Sequence, residues 1–232
     1  MKTYCCSDLH GQYGLWAQIK EFLGPDDKLF MLGDAADRGE YGWEIIKEAL
    51  KDPRVVYIRG NHDEMLLDAW KNEWIGDDLY LWMSNGGQPT FDAILADPAA
   101  DIYLRHLNRS RVYECYENTS AQAIHLSHAG FTMMEGDVIP TREDLLWDRD
   151  HIEDSCSWWP LTNPNDYVVH GHTPIMNRRY KLQEGEINES HTVLKYCHGY
   201  KIAIDAGSIV SHKCALLDLD TFEEIIFEDK VD

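Results

Sequence analysis

Five short polar clusters in this chain each follow directly on a run of apolar residues. In sequence letters they are SDLHG (7–11), GDAADRG (33–39), GNHD (60–63), SHAG (127–130) and HGHTP (170–174). Short apolar runs bounded by Gly, Asp or Asn are typical of strands that are buried in a sheet. The pattern therefore predicts that carboxylate, imidazole and amide side chains stand at the ends of several buried strands.

The order of these segments predicts an α/β fold. Apolar runs predict five strands, at 2–6, 28–32, 54–58, 123–126 and 167–169. Helical patterns follow the first three, at 14–22, 41–50 and 63–74. Strands that alternate with helices form βαβ units, and functional groups of such sheets gather beyond the carboxyl ends of the strands. We therefore expect clusters that are distant in sequence to converge in space.

The chain of 232 residues is expected to be one domain, 1–232, because the candidate ligands run from Asp8 to His172 and a division would cut through them. A mainly helical stretch at 63–111 interrupts the strands and forms either a cap that selects substrate or helices that cover the sheet. Short apolar segments after Thr192 predict an antiparallel meander that closes the second layer.

Composition restricts the partners. The chain carries 41 acidic and 21 basic residues, a formal net charge of −20, which opposes binding to nucleic acid or to an anionic membrane surface. No apolar run is long enough to span a bilayer, and only six residues precede the first cluster, too few for a signal peptide. We expect a cytoplasmic protein. The sequence leaves the oligomeric state open, with a monomer favoured.

The six cysteines show neither a CxxC pair nor zinc-like spacing, so we expect reduced thiols in a reducing compartment. They are Cys5, Cys6, Cys115, Cys156, Cys197 and Cys214.

The clusters contain the ligands for two metal ions. Asp8 and His10 are two residues apart, so from extended backbone they point the same way and suit one ion. Asp34 has two carboxylate oxygens and is placed to bridge two cations. Asn61, His128 and His172 would complete the second ion. A mixture of carboxylate, imidazole and amide suits Mn²⁺ best, with Fe or Zn²⁺ as alternatives, and does not suit Ca²⁺.

The same clusters offer a proton donor and cations for phosphate. His62 follows the ligand Asn61 without being needed as a ligand, which favours a role as general acid, and Asp37 would orient it. Arg38 and Arg59 flank the ligands, and a guanidinium matches two phosphate oxygens. Arg149 is a weaker third candidate.

Each cluster alone has a plainer interpretation. An Asp-x-His pair is more often turn and helix-cap chemistry, GNHD could be a turn before a helix, and any one of the eleven histidines is more often structural or solvated. The joint set, in which five clusters follow five apolar runs, favours the metal site.

This set resembles the motifs of the calcineurin-like metallophosphoesterases, in the phosphoprotein phosphatase branch, across about residues 7–174. The resemblance implies a four-layer αββα sandwich and a dinuclear site that hydrolyses phosphate esters by attack of a dimetal-bound hydroxide. It also supports His62 with Asp37 as the proton donor pair. The implied ligands are Asp8, His10 and Asp34 for one metal, and Asp34, Asn61, His128 and His172 for the other.

Two positions depart from the family pattern. Ser7 replaces the first glycine of the first motif, which narrows the backbone freedom before Asp8 but leaves both ligands in place. Pro174 stands where many wider family members have a second histidine, so the first metal would have three protein ligands. That pattern is similar to the protein phosphatase and diadenosine tetraphosphatase branch.

The leading hypothesis is a bacterial-type serine/threonine protein phosphatase that acts on phosphorylated proteins or small phosphate esters. A diadenosine tetraphosphate hydrolase is the alternative within the same chemistry. A non-catalytic scaffold with this fold is a remote third, because such proteins usually lack acid, arginine or ligand positions that are all present here.

Overall fold

Two five-stranded sheets pack face to face in this protein. The computed structural model describes residues 1–131, 140–152, 164–177, 180 and 192–229. Within them the ten strands divide equally between the sheets, and the helices lie on the outer faces. The α/β class predicted from the sequence is confirmed, with strand positions that match the five predicted runs within one or two residues.

The first sheet is built around three parallel strands that the predicted βαβ units connect. Its strand order is β10-β9-β1-β2-β3, with β9 antiparallel to β1 and β10 antiparallel to β9. The elements are β1 (Thr3–Cys6), α1 (Tyr13–Phe22), β2 (Lys28–Leu32), α2 (Gly42–Lys51), β3 (Val55–Ile58), β9 (Lys213–Asp218) and β10 (Glu224–Glu228).

The second sheet has the order β4-β5-β6-β8-β7, in which β5, β6 and β8 are parallel and the two edge strands are antiparallel to their neighbours. Its strands are β4 (Tyr113–Glu117), β5 (Ala123–Ser127), β6 (Asp166–His170), β7 (Leu194–Tyr196) and β8 (Lys201–Ala203).

The remaining helices connect these strands and cover the sheets. They are α3 (Asn61–Lys71), α4 (Gly76–Ser84), α5 (Gln88–Ala96), α6 (Ala100–Arg109), α7 (Arg142–Trp147), a 3₁₀ turn (Asp150–Ile152) and α8 (Ser208–Ser211). None of the helices in the described residues has both the length and the apolar character needed to cross a bilayer.

Alternation along the strands divides the apolar side chains of the described residues into three separate clusters. In β2, Leu29 and Met31 pack towards the helices, whereas Phe30 and Leu32 pack between the sheets. In β6, Val169 faces the first sheet and Val168 faces α7. Successive strand residues point to opposite faces, so each central strand buries both. The order from outside to outside is helices, sheet, sheet and a layer that contains α7.

The prediction of one carboxyl-terminal meander is wrong. The short apolar segments after Thr192 do form strands, but β7 and β8 join the second sheet whereas β9 and β10 join the first. Strand β9 lies between β1 and β10 and is buried from Cys214 to Asp218. Apolar runs predict burial, but they carry no information on which sheet a strand joins, and α8 separates the two pairs.

The third predicted helix begins and ends earlier than its apolar spacing indicates. It starts at Asn61, because the Asp63 carboxylate accepts a hydrogen bond from the Gly60 N–H at 2.8 Å and caps the first turn. It ends at Lys71, since Trp74 adopts φ 61° in the left-handed region. The Trp74 ring instead packs near Trp82, with centroids 5.9 Å apart.

Helices α3 to α6 cover the outer face of the first sheet. Buried side chains of this stretch, among them Leu66, Ile94 and Leu104, join the same apolar cluster as Trp43 of α2. Residues 63–111 therefore share a core with the sheet, and whether they also select substrate stays a prediction.

The cysteines follow the predicted thiol state only in part. Cys5, Cys6, Cys115 and Cys214 are free. Cys197 is disulfide-bonded, contrary to expectation. Residue spacing alone did not reveal this bond, and Cys156 lies outside the described residues.

We expect the Leu66→Ala substitution to lower the free energy of unfolding by about 2–5 kcal/mol, because Leu66 is fully buried and its removal leaves a cavity. Leu95 is 65% exposed, and Leu95→Ala should change the value by less than about 0.5 kcal/mol. Urea unfolding of both variants measures the difference, and equal losses would contradict the described core.

Candidate functional site

The five polar clusters converge at the carboxyl ends of the parallel strands of both sheets. Asp8 follows β1, Asp34 follows β2, Asn61 follows β3, His128 follows β5 and His172 follows β6. Each of these residues is buried, with an exposed fraction of at most 6%. The segments that are distant in sequence therefore converge in space, as predicted.

The backbone is left-handed at many of these positions. Positive φ angles between 42° and 69° occur at six candidate residues: Asp8, His10, Asp34, Asp37, Arg38 and His172. This region is sparsely populated by residues other than glycine, although Asp and His tolerate it better than most. The turns aim the side chains inward immediately after each strand ends.

Two glycines allow the loops to approach closely. Gly33 has φ 80°, and a Cβ there would overlap the Gly60 backbone nitrogen. A Cβ on Gly171 would overlap Ser7 Oγ and Asp8 Oδ2. The close contact of these motifs therefore requires glycine at both positions.

Asp34 lies at the centre of two groups of potential ligands. One group combines it with His10 and His62, and the other with Asp8 and His128; in each group the ligand atoms lie within 4.8 Å of one another. Asp34 Oδ2 is 3.2 Å from His128 Nε2 and 4.0 Å from His10 Nε2. One carboxylate therefore belongs to both groups, as expected of a bridging ligand.

Hydrogen bonds to neighbouring groups hold the first predicted ligand pair, Asp8 and His10. His10 Nδ1 lies 2.9 Å from the Ala36 carbonyl oxygen, which leaves Nε2 turned towards Asp8 Oδ1 at 4.0 Å. Asp8 Oδ2 accepts hydrogen bonds from Ser7 Oγ and from the His172 N–H, the latter at 3.0 Å. A carbonyl partner on one ring nitrogen fixes the tautomer that presents the other to a metal.

The second predicted set contains acceptor atoms in mutual contact. Asn61 Oδ1 lies 2.9 Å from both His128 Nε2 and His172 Nδ1, and those two nitrogens are 3.2 Å apart. His128 Nδ1 lies 2.7 Å from the carbonyl oxygen of Leu32, again fixing the ring. Because His128 Nδ1 donates to Leu32, an unprotonated Nε2 and Asn61 Oδ1 would be two acceptors 2.9 Å apart, and a bound cation or a proton on Nε2 would relieve this contact.

The pKa directions identify the same demand for positive charge. Burial lowers the pKa of His128, but the Asp34 and Asp8 carboxylates outweigh it and raise the value to about 10. Burial raises the pKa of Asp34, yet the imidazoles of His128 and His62 hold it well below its ordinary range. Buried anions and imidazoles in this arrangement fit divalent cations.

The imidazoles of the other two predicted ligands, His10 and His172, are neutral in the same surroundings. Burial, with smaller contributions from neighbouring positive groups, lowers the pKa of His10 to about 3 and that of His172 to about 2. Neutral imidazole is the form that binds a metal. The donor set therefore suits divalent cations. Its division into Asp8, His10 and Asp34 for one ion and Asp34, Asn61, His128 and His172 for the other stays a prediction, because the two compact groups place His10 with His62 and Asp8 with His128.

His62 and Asp37 form the predicted dyad. His62 Nδ1 donates to Asp37 Oδ2 at 2.7 Å, and both residues are buried. Burial lowers the pKa of His62, but the Asp34 and Asp37 carboxylates more than compensate, so the pKa is raised. Its Nε2 lies 4.0 Å from Asp34 Oδ2 and thus faces the candidate metal ligands.

The three predicted arginines differ in their surroundings. Arg38 is exposed at the edge of the site, and its Nη1 and Nη2 lie 2.9 Å from His10 Nε2 and His62 Nε2, respectively. Arg59 is buried, and its Nη1 forms an ion pair with Glu64 Oε1 at 2.8 Å. Arg149 is near enough to His172 for its charge to lower the pKa of that residue.

Three residues that contact the candidate site were not predicted from the sequence: Trp82, Thr90 and Ser208. Trp82 Nε1 donates to Asp37 Oδ2 at 2.8 Å, and the Asp37 N–H donates to Thr90 Oγ1 at 3.0 Å. Ser208 Oγ donates to the Asp8 carbonyl oxygen at 2.6 Å. These three belong to distant segments and lie in no polar cluster, so nothing in the sequence marked them.

Asp63 was also missed, although it lies within the third cluster. It is fully buried, and burial together with the nearby Asp34 raises its pKa to about 7. Its carboxylate accepts from the Gly60 N–H at 2.8 Å and from Tyr57 Oη at 3.0 Å. Its position in the motif was the available signal.

Comparisons with known proteins agree with this geometry. The model of the calcineurin-like phosphoesterase family matches residues 1–176. Serine/threonine-protein phosphatase 2 of Escherichia coli K12 is 28% identical over 177 residues, covering 73% of this chain and 78% of that protein. The symmetrical bis(5'-nucleosyl)-tetraphosphatase of Buchnera aphidicola is 31% identical over 137 residues, covering 57% of this chain and 45% of its own length.

A solved structure of a proposed diadenosine tetraphosphatase superimposes with a TM-score of 0.62 at 18% identity, covering 97% of this chain and 92% of that one. This likeness shows the fold. The family match covers three quarters of the sequence and includes all the predicted metal ligands. The chain is a phosphoric ester hydrolase and belongs to the calcineurin-like phosphoesterase family.

Proposed function

We propose that this chain is a manganese-dependent phosphatase that hydrolyses phosphoserine and phosphothreonine monoesters in proteins. The observation that carries the proposal is Asp34, whose carboxylate belongs to two buried groups of potential ligands, one of which includes His62 of the His62–Asp37 dyad. The phosphatase named for serine and threonine in Escherichia coli supports the substrate class. Carboxylate, imidazole and amide ligands support Mn²⁺, with Fe or Zn²⁺ as alternatives.

The proposed residue roles follow from position and charge. Two divalent ions, when bound, supply Lewis acidity and a water of lowered pKa as nucleophile. Arg38 lies at the exposed edge, where a guanidinium can bind two oxygens of an arriving phosphate. Arg59 and Arg149 are further proposed phosphate contacts, and pairing with Glu64 holds the Arg59 guanidinium in place.

His62 is proposed to protonate the leaving oxygen. Its Nδ1 is occupied by the hydrogen bond to Asp37, so Nε2 is the atom that would carry the transferred proton. Asp37 is itself held by Trp82 and Thr90. These contacts keep the carboxylate on Nδ1, where its negative charge favours the protonated imidazole.

We propose that residues 1–232 act as one domain, because the site takes side chains from both sheets. Within it, α4 contributes Trp82 to the dyad, so at least this part of the helical stretch 63–111 supports the site directly.

Asp34→Asn should reduce bound manganese from about two ions to at most about one per chain, since a neutral amide weakens the ligand shared by both groups. Elemental analysis after manganese loading measures this stoichiometry. Asp92→Asn, an exposed change on α5, is the control and should retain the wild-type content. Full metal content in Asp34→Asn would contradict the bridging role.

His62→Asn should lower kcat for a chromogenic aryl phosphate by roughly 10²–10⁴-fold while metal content stays unchanged, because it removes a general acid rather than a ligand. Initial rates with saturating Mn²⁺ measure the effect. The matched change His106→Asn affects an exposed histidine of α6 and should leave kcat within about twofold. Undiminished turnover in His62→Asn would remove the proposed mechanism.

A second candidate function is hydrolysis of dinucleoside polyphosphates, which the 31% identical relative favours. We expect the wild-type enzyme to prefer a phosphoserine peptide over diadenosine tetraphosphate by about a hundredfold in kcat/KM, equivalent to about 2.7 kcal/mol of differential transition-state binding. Parallel measurements on both substrates decide between them. The reverse preference would replace the proposed substrate class.

A further inference from the structure

We infer that Trp82 is a positioning residue for proton donation by His62, and that it acts through Asp37. Its contribution should then depend on how strongly the leaving oxygen of the substrate needs a proton. This inference rests on the proposed role of His62 as general acid. It assigns to α4 a part in the reaction in addition to its part in the apolar core.

One oxygen of Asp37 receives both side-chain hydrogen bonds of this carboxylate. Oδ2 accepts from His62 Nδ1 at 2.7 Å and from Trp82 Nε1 at 2.8 Å. None of the described residues donates a hydrogen bond to Oδ1. Without the indole N–H, the carboxylate would be held through its side chain only by His62, the group that it is proposed to orient. Trp82 therefore gives Asp37 a fixed position from which to orient the imidazole.

Burial increases the need for this contact. Asp37 and Trp82 are both fully buried. A carboxylate that has lost its hydration depends on N–H donors to stabilise its negative charge, and hydrogen bonds to a charged acceptor are stronger than those between neutral groups. The indole N–H is therefore a stabilising contact that the dyad would lose on substitution.

The backbone of Asp37 is held by the same pair of helices. Asp37 has φ 69° and Arg38 has φ 67°, so two consecutive residues other than glycine are left-handed, which is unfavourable unless surrounding contacts hold them. The Asp37 N–H donates to Thr90 Oγ1 of α5 at 3.0 Å, and the Arg38 N–H donates to the Gly86 carbonyl oxygen at 2.9 Å. Helices α4 and α5, with the turn between them, thus hold the main chain of this segment as well as its side chain.

Neighbouring rings restrict the indole. The Trp82 ring meets the Phe91 ring edge-on with centroids 6.0 Å apart, and the Trp74 ring lies 5.9 Å away on the same measure. A donor on a packed ring keeps its direction, because rotation of the ring would disturb these contacts. Trp82 is therefore suited to hold Asp37 in one orientation.

The leaving group determines how much this orientation contributes. In hydrolysis, the oxygen of water bonds to phosphorus while the bond from phosphorus to the leaving oxygen breaks, and that oxygen keeps the electron pair. A serine, threonine or phenol oxygen then takes the proton from His62 Nε2, whereas dinitrophenolate is a stable anion that leaves without one. A misdirected imidazole should therefore slow the hydrolysis of phenyl phosphate more than that of dinitrophenyl phosphate.

The test is the ratio of kcat for phenyl phosphate to kcat for dinitrophenyl phosphate at saturating Mn²⁺. We expect His62→Asn to lower this ratio by at least about tenfold. Trp82→Phe should lower it by about three- to tenfold, because the general acid remains but is less well oriented. A smaller fraction of folded or metal-loaded enzyme lowers both rates equally and cancels in the ratio, so a purely structural role of Trp82 would leave the ratio unchanged.

Trp43→Phe is the matched control. Trp43 is also fully buried in the same apolar cluster as Trp82, and its Nε1 donates to the Asp97 carboxylate at 2.9 Å. The same substitution there removes an equivalent hydrogen bond from a pair outside the candidate site, and the ratio should stay within about twofold of the wild-type value. Replacement of Trp82 by benzothienylalanine keeps the shape of the ring and removes the N–H, and it should lower the ratio as Trp82→Phe does.

The outcomes separate failure of this inference from failure of the proposed function. A lowered ratio in His62→Asn with an unchanged ratio in both Trp82 variants would overturn the inference and leave the general acid in place. An equal fall in Trp43→Phe would also overturn it. An unchanged ratio in His62→Asn would remove the proposed general acid and the inference with it.

Discussion

The structure of the site depends on one buried carboxylate. Asp34 lies within 4.0 Å of the imidazoles of His10, His62 and His128, and its Oδ1 accepts the His62 N–H at 3.0 Å. A buried anion is unfavourable unless positive charge surrounds it. The loops after β1, β3 and β5 bring the imidazoles of His10, His62 and His128 close to this carboxylate. Strand β2, which delivers Asp34, lies between β1 and β3, which deliver Asp8 and Asn61, whereas His128 and His172 follow strands of the second sheet.

Residues around the candidate site hold its side chains through successive hydrogen bonds. His62 is held by Asp37, and Asp37 by Trp82 and Thr90 of the helical stretch. Asp8 is held through its side chain by Ser7 and through its carbonyl by Ser208. The departure from glycine at position 7 thus adds a hydrogen bond to a candidate ligand, while Gly171 leaves room for it. Such outer contacts orient ligands and restrict their rotamers.

The sequence predicted the strands and the convergence because both follow from local patterns. Apolar runs located β1 to β3, and the polar residues after them identified the candidate ligands. The sequence was less informative about which strands pair when they are far apart along the chain. Lys213 to Asp218 was predicted as a strand, but its place beside β1 depends on how α8 directs the chain. The role of Trp82 could not be predicted either. The chain has eight tryptophans, and the hydrogen bond from Trp82 to Asp37 depends on how α4 packs in the folded structure.

The pairing of β9 with β1 links opposite ends of the chain. β1 has β2 on one side and β9 on the other, and Ser208 just before β9 reaches the backbone of Asp8. Contacts between residues so far apart in sequence form late and slowly in folding. During synthesis on the ribosome, the amino-terminal βαβ units can emerge and collapse while the Asp8 loop still lacks its final neighbour. The Asp8 loop therefore gains its last neighbour only after a segment 200 residues further along the chain has been made, so the candidate site is assembled late in synthesis.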